Sequence, residues 1–149
     1  MGTKERLAAD MKQAMKSKDK LKLSTIRLIR SEIKNAEIEK GELLSEDEVT
    51  GVLARELKKR RESMVLYEEG GRPELVEKEG KEAAILEAYL PEQLSPEEVE
   101  AFVNEAIEAT GAQSVKEMGK VMGVLMPKVK GRADGNVVSG IVKAKLRAG

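Results

Sequence analysis

Cations at alternate positions, with glycines beside them, are the residues of this sequence best suited to do chemistry. Lys128, Lys130 and Arg132 stand within Met118–Val142, MGKVMGVLMPKVKGRADGNVVSGIV. On an extended segment alternate side chains project to one side, so the three would act together. Lys116 and Lys120 lie one helical turn apart, as do Lys143 and Arg147, outside the apolar faces of their helices. Such a set can neutralise phosphates or meet an acidic protein surface. Gly119 and Gly123 are also one turn apart. Tight helix–helix packing is the preferred reading of that pair, and a flat surface admitting a nucleic-acid backbone is the other. Gly131, Asp134 and Gly135 form a turn before a last helix. Its backbone N–H groups could hold phosphate, or it is an ordinary inter-helix turn.

Catalysis finds little support. There is no His and no Cys, which removes the commonest general base, the thiolate nucleophile and the usual zinc ligands. Ser139 and Lys143 are one turn apart, but on an open helix face. The many Glu residues follow helix caps and solvated faces, and paired-carboxylate chemistry needs a pocket that the pattern does not indicate. No catalytic residue, metal site or cofactor is assigned. Aromatics are only 2% of the chain. Tyr67, Tyr89 and Phe102 all sit at core spacing, so any RNA contact would be to backbone and shape rather than to stacked bases.

The elements that must position these residues are helices. Thr3 is expected to cap a first helix to about Lys16, with Leu7, Met11 and Met15 as its stripe. Asp19 starts a second, to about Lys40, closed by Gly41. Its apolar face is Leu21, Leu28, Ile29, Ile33 and Ala36; Lys20, Arg27, Arg30 and Lys34 share another face. Ser45 and Glu48 make a capping box for a third helix to about Glu69. In it Lys58–Arg61 reads as solvated surface. Pro73 opens a fourth, to about Leu90, with Gly80 inside it. Ser95-Pro96-Glu97-Glu98 is a strong helix start, and Ser114 with Glu117 begins a sixth helix that Pro127 should stop. The last begins near Asp134. No segment alternates as a strand does. The fold class is all-α: an N-terminal four-helix unit, residues 1–92, and a small three-helix C-terminal domain, residues 95–149.

The formal net charge of zero hides an asymmetry. Residues 1–40 carry eleven basic and six acidic side chains, residues 41–110 eight and nineteen, and residues 111–149 eight and two. Either the acidic middle complements the basic ends, or the ends meet a polyanion. No apolar run approaches a membrane span and no charged-then-apolar leader opens the chain, so a cytosolic protein without membrane contact is expected.

At Gly119–Leu146, GKVMGVLMPKVKGRADGNVVSGIVKAKL, the sequence resembles the YqeY family, whose C-terminal unit is similar to the tail of the GatB subunit of tRNA-dependent Asp/Glu amidotransferase. LSTIRLIRSEIKNAEIEKG (Leu23–Gly41) and AYLPEQLS (Ala88–Ser95) look like the same family. The resemblance covers essentially the whole chain. It implies an all-α, two-part fold and, through the GatB tail, contact with a tRNA body by the positions around Gly119, Gly123, Pro127, Lys128, Gly131, Arg132, Asp134 and Gly135. The GatB catalytic cradle has no counterpart in 149 residues. The expected function is a tRNA-binding accessory module, with Lys116, Lys120, Lys128, Lys130, Arg132 and Lys143 as its cations. A protein-interaction adaptor docking on an amidotransferase or another complex is the alternative, and a carbon–nitrogen ligase with glutamine as amido donor the least favoured reading.

Overall fold

The structure, a computed structural model, describes residues 2–148. Among these residues there is no strand, and the fold is all-α. Two compact units divide the chain, Met1–Pro91 and Glu92–Gly149.

The first unit holds α1 (Thr3–Ser17), α2 (Lys20–Lys40), α3 (Glu46–Glu69) and α4 (Pro73–Glu87). Asp19 caps α2 by accepting from the Lys22 N–H at 3.1 Å, and Gly41 closes it at φ +82°, where a side chain would be strained. Ser45 and Glu48 form the reciprocal box that starts α3. Lys40 bonds the same Glu48 carboxylate at 2.6 Å; this bond and the Ser45 N–H hold its pKa down at about 2. Pro73 is the first residue of α4, where its missing N–H costs nothing. The core is aliphatic: Leu7, Ile26, Ile29, Val49, Leu53 and Leu86 are wholly buried.

Several expectations give way here. Thr3 is a helical residue and Gly2 takes the N-cap position. Thr3 is buried because its N–H (3.0 Å) and hydroxyl both donate to Glu46, a carboxylate brought from the start of α3. A distant acid therefore does what a local cap was expected to do. Met15 is 50% exposed and Leu28 43% exposed, so neither belongs to the core stripe; Ala14 and the pair Thr25/Ile26 take those faces. Helix α4 ends at Glu87, three residues before the proposed end, because Tyr89 and Leu90 turn inward to the core. Within Lys58–Arg61, Arg60 is buried and paired with buried Glu56 at 2.7 Å, so that tract is not all solvated surface. Gly80 lies inside α4, where a Cβ would make ordinary van der Waals contact with the Met64 methyl at 3.4 Å.

The second unit holds α5 (Pro96–Thr110), a 3₁₀ turn (Val115–Glu117), α6 (Met118–Val129) and α7 (Gly135–Ala148). The Ser95/Glu98 box starts α5, and Gly111 ends it at φ +67°. Val103, Val121, Leu125, Val129, Val138 and Val142 have no exposed surface and form the core, with Phe102 and the methionines of α6 packed around them. Pro127 does not stop α6. It lies inside the helix, which runs on to Val129. Proline removes an N–H and crowds the carbonyl four residues back. That residue is Gly123, and burial of Leu125 and Val129 on the core face carries the helix past it.

Candidate nucleic-acid interface

The residues proposed from sequence all belong to the second unit, and the fold sorts them into two groups. Lys128 is in α6 and Lys130 caps its C-terminus, so the segment is not extended and alternation does not align the three cations. Lys128 pairs with Glu105 at 3.2 Å. Arg132 is turned inward. Its guanidinium donates to the Glu92 carbonyl at 3.1 Å and the Lys128 carbonyl at 3.3 Å, and lies over the Phe102 ring at 5.9 Å. Those contacts tie the α6–α7 turn to the start of the unit, a structural task. The reason is local. The last turn of a helix leaves carbonyls without donors, and Arg132 supplies one of them.

Lys116, Lys120, Lys130 and Lys143 form the other group. All four are exposed and none joins an ion pair among the described residues. Gly119 and Gly123, beside Lys120 on α6, are exposed too, and a Cβ built on either meets nothing within 4 Å. Among the described residues, packing within the second unit is therefore not what keeps those positions small, contrary to the preferred reading. Their surface is open.

The turn between α6 and α7 is engaged from within. Gly131 adopts φ +74°, and its carbonyl accepts from Gln93 at 2.7 Å. The Leu94 N–H reaches the Arg132 carbonyl at 2.9 Å. Asp134 accepts from the Asn136 N–H at 2.9 Å, which puts a carboxylate at the N-terminus of α7 just before Gly135. This geometry matches the ordinary turn rather than a phosphate cradle, since the dipole end is already occupied by an anion. Near the 3₁₀ turn, the Glu117 carboxylate accepts N–H bonds from Gln113 (2.5 Å) and Ser114 (3.3 Å), which hold its pKa below the usual carboxylate value. Lys116 and Lys120 flank that acid. Among the described residues no group of carboxylates is arranged to hold a metal ion.

A helical two-unit chain with a basic, glycine-containing C-terminal unit can be compared with known families. A family model described as "Yqey-like protein" matches residues 4–146. The chain belongs to the YqeY-like family. Its relatives include "Altered inheritance of mitochondria protein 41, mitochondrial" of Pyrenophora tritici-repentis, 34% identical over 86% of this chain and 71% of that protein. The protein of the same name from Vanderwaltozyma polyspora is 35% identical over 75% of this chain and 64% of its own length. In Kluyveromyces lactis the figures are 43%, 65% and 54%, so this YqeY-like chain spans only part of such relatives. A shorter match joins 36% of the chain, at 43% identity, to 9% of a glutamyl-tRNA(Gln) amidotransferase subunit of Thermococcus gammatolerans.

These names overturn the cytosolic expectation. The first three of these relatives are named as mitochondrial proteins, which points to mitochondria rather than the cytoplasm. An aliphatic helical fold without Cys or His suits any aqueous compartment, so composition carried no information on this point. Among the described residues no helix is long and apolar enough to cross a membrane.

Proposed function

We propose that this YqeY-like chain is a tRNA-binding accessory module that holds the nucleic-acid backbone through its C-terminal unit. The observation that carries the reading is the set of exposed lysines, Lys116, Lys120, Lys130 and Lys143, none in an ion pair among the described residues, in a segment with eight basic and two acidic side chains. The similarity to an amidotransferase component supports tRNA as the polyanion. Lysine ammonium groups on flexible stems act as point charges toward phosphates, and phosphate contacts position a protein without specifying sequence. Without aromatics on this surface, base stacking contributes nothing to the reading. The exposed glycines of α6 let a backbone approach the helix closely beside Lys120.

The test is a salt titration of bulk tRNA binding, comparing wild type with Lys120→Ala/Lys130→Ala/Lys143→Ala, folding checked by melting. Three lost phosphate contacts should lower the log–log salt slope by roughly 2–3 and weaken different tRNAs by similar factors. Unchanged affinity and slope in the folded triple variant would remove the reading and favour a docking adaptor.

A further inference from the structure

The first unit carries a groove of about 780 Å³ between α1 and α2 that the C-terminal reading does not use. Its floor is apolar: Leu7 and Ile33 are buried, and Met11 is half-buried between them. Its rim is cationic. Arg27, Arg30 and Lys34 line it, all exposed, and among the described residues no carboxylate pairs with any of them. Arg30 leans over the floor, its Nη1 3.0 Å from the Met11 sulfur. Lys4 completes the opposite side, but its charge is matched by Glu37, whose carboxylate also accepts the Leu44 N–H at 3.0 Å. Lys34 shares the field of Glu37 without an ion pair, and Arg27 and Arg30 are unmatched among the described residues. One end of the groove carries Leu43, 76% exposed, and Ile38, 70% exposed, continues the Arg27–Ser31–Lys34 face of α2.

We propose that this groove docks an acidic amphipathic helix of a protein partner. Three features point to that occupant. A bare phosphate site has no use for a floor of Leu, Met and Ile, nor for an exposed leucine at its end. A base-stacking RNA site would need an aromatic, and none lines the groove. A small molecule would be mostly enclosed in its site, whereas the walls here are exposed side chains. An amphipathic helix lays apolar anchors at i, i+3, i+4 and i+7 into such a groove. Carboxylates flanking those anchors would meet Arg27, Arg30 and Lys34. The α2 wall from Arg27 to Glu37 is about 15 Å long at 1.5 Å per residue, room for about three turns of helix.

The probe is a short fluorescent helical peptide of Leu, Glu and Ala with Leu at i, i+3, i+4 and i+7. Its control is the same composition with that periodicity scrambled. Both are titrated into the full chain by anisotropy. Saturable binding of the first and at least about tenfold weaker binding of the second is expected. Arg30→Glu/Lys34→Glu should weaken the first peptide about tenfold or more, since like charges across an interface repel, and Leu43→Ser should also weaken it. The C-terminal lysine variant should bind it normally, which separates this proposal from the tRNA reading. Equal binding of both peptides, no saturable binding of either, or indifference to Leu43→Ser would overturn it. Displacement of the peptide by inorganic phosphate at constant ionic strength, or by tRNA with matching loss of tRNA binding in Arg30→Glu/Lys34→Glu, would give the groove to an anion instead. Self-association abolished by that same variant would give it to a second copy.

Discussion

Arg60 is the residue whose environment is least forgiving. It is 7% exposed on α3, and its Nη1 bonds the 5%-exposed Glu56 carboxylate at 2.7 Å while its Nε has no hydrogen-bond partner among the described residues. Lys59, largely exposed, reaches the other Glu56 oxygen at 3.1 Å. The two charges are thus unequally supported. Removing Arg60 leaves Glu56 with Lys59, whereas removing Glu56 leaves a buried guanidinium with only the more distant charge of Glu79, to which it makes no ion pair among the described residues. Breaking a buried pair from one side costs about 3–5 kcal/mol, while replacing both ions by apolar groups is often neutral or stabilising. Glu56→Ala is therefore expected to destabilise by about 3–5 kcal/mol, Arg60→Met by less, and Glu56→Leu/Arg60→Met by least. Urea midpoints of the three variants check the order. An Arg60→Met variant less stable than Glu56→Ala would show that Lys59 gives no cover.

The helices were legible in the sequence to the degree that their signals were local. Asp19, Ser45, Pro73, Ser95, Gly41 and Gly111 each act on backbone groups within a few residues, and each does what its type implied. Signals that depended on distant partners were not legible: the Glu46 acceptor for Thr3 and the inward turn of Arg132 toward Glu92. Alternation at Lys128–Arg132 misled because Leu125 and Val129 hold α6 in register past Pro127. Helix α6 also separates packing from surface use. Gly119 and Gly123 are helical with open space at their Cβ positions, so packing does not forbid alanine. Each Gly→Ala change should stabilise the unit by about 0.5–1 kcal/mol. If the nucleic-acid backbone approaches here, the same double change should weaken tRNA binding while raising the melting temperature. A parallel rise in both, measured on Gly119→Ala/Gly123→Ala, would detach the glycines from binding and leave the lysines alone.

At the scale of the whole molecule, the chain places two aliphatic cores in one sequence, one around Leu53 and the other around Leu125. Each core draws its buried residues from one side of Pro91–Glu92, and the basic segments at the two ends belong to different cores. We propose that residues 1–92 and 95–149 fold as separate domains. The second is small, and a unit of about 60 residues buries only some 60% of the surface its unfolded chain exposes, so it should be the less stable of the two. Leu53 and Leu125 are both wholly buried, and Leu→Ala at such positions costs about 2–5 kcal/mol. For domains of this size 1 kcal/mol moves the melting temperature by about 4–8 °C. Calorimetry of the full chain should therefore resolve two transitions. Leu53→Ala should lower the higher one by roughly 10 °C or more and leave the other in place, and Leu125→Ala should do the reverse. Effects at distant sites without shared partners are additive, so the double variant should show both shifts undiminished. A single transition lowered by either change would instead mean that the two cores unfold as one, and residues 92–95 would then be a bend within one domain rather than its boundary.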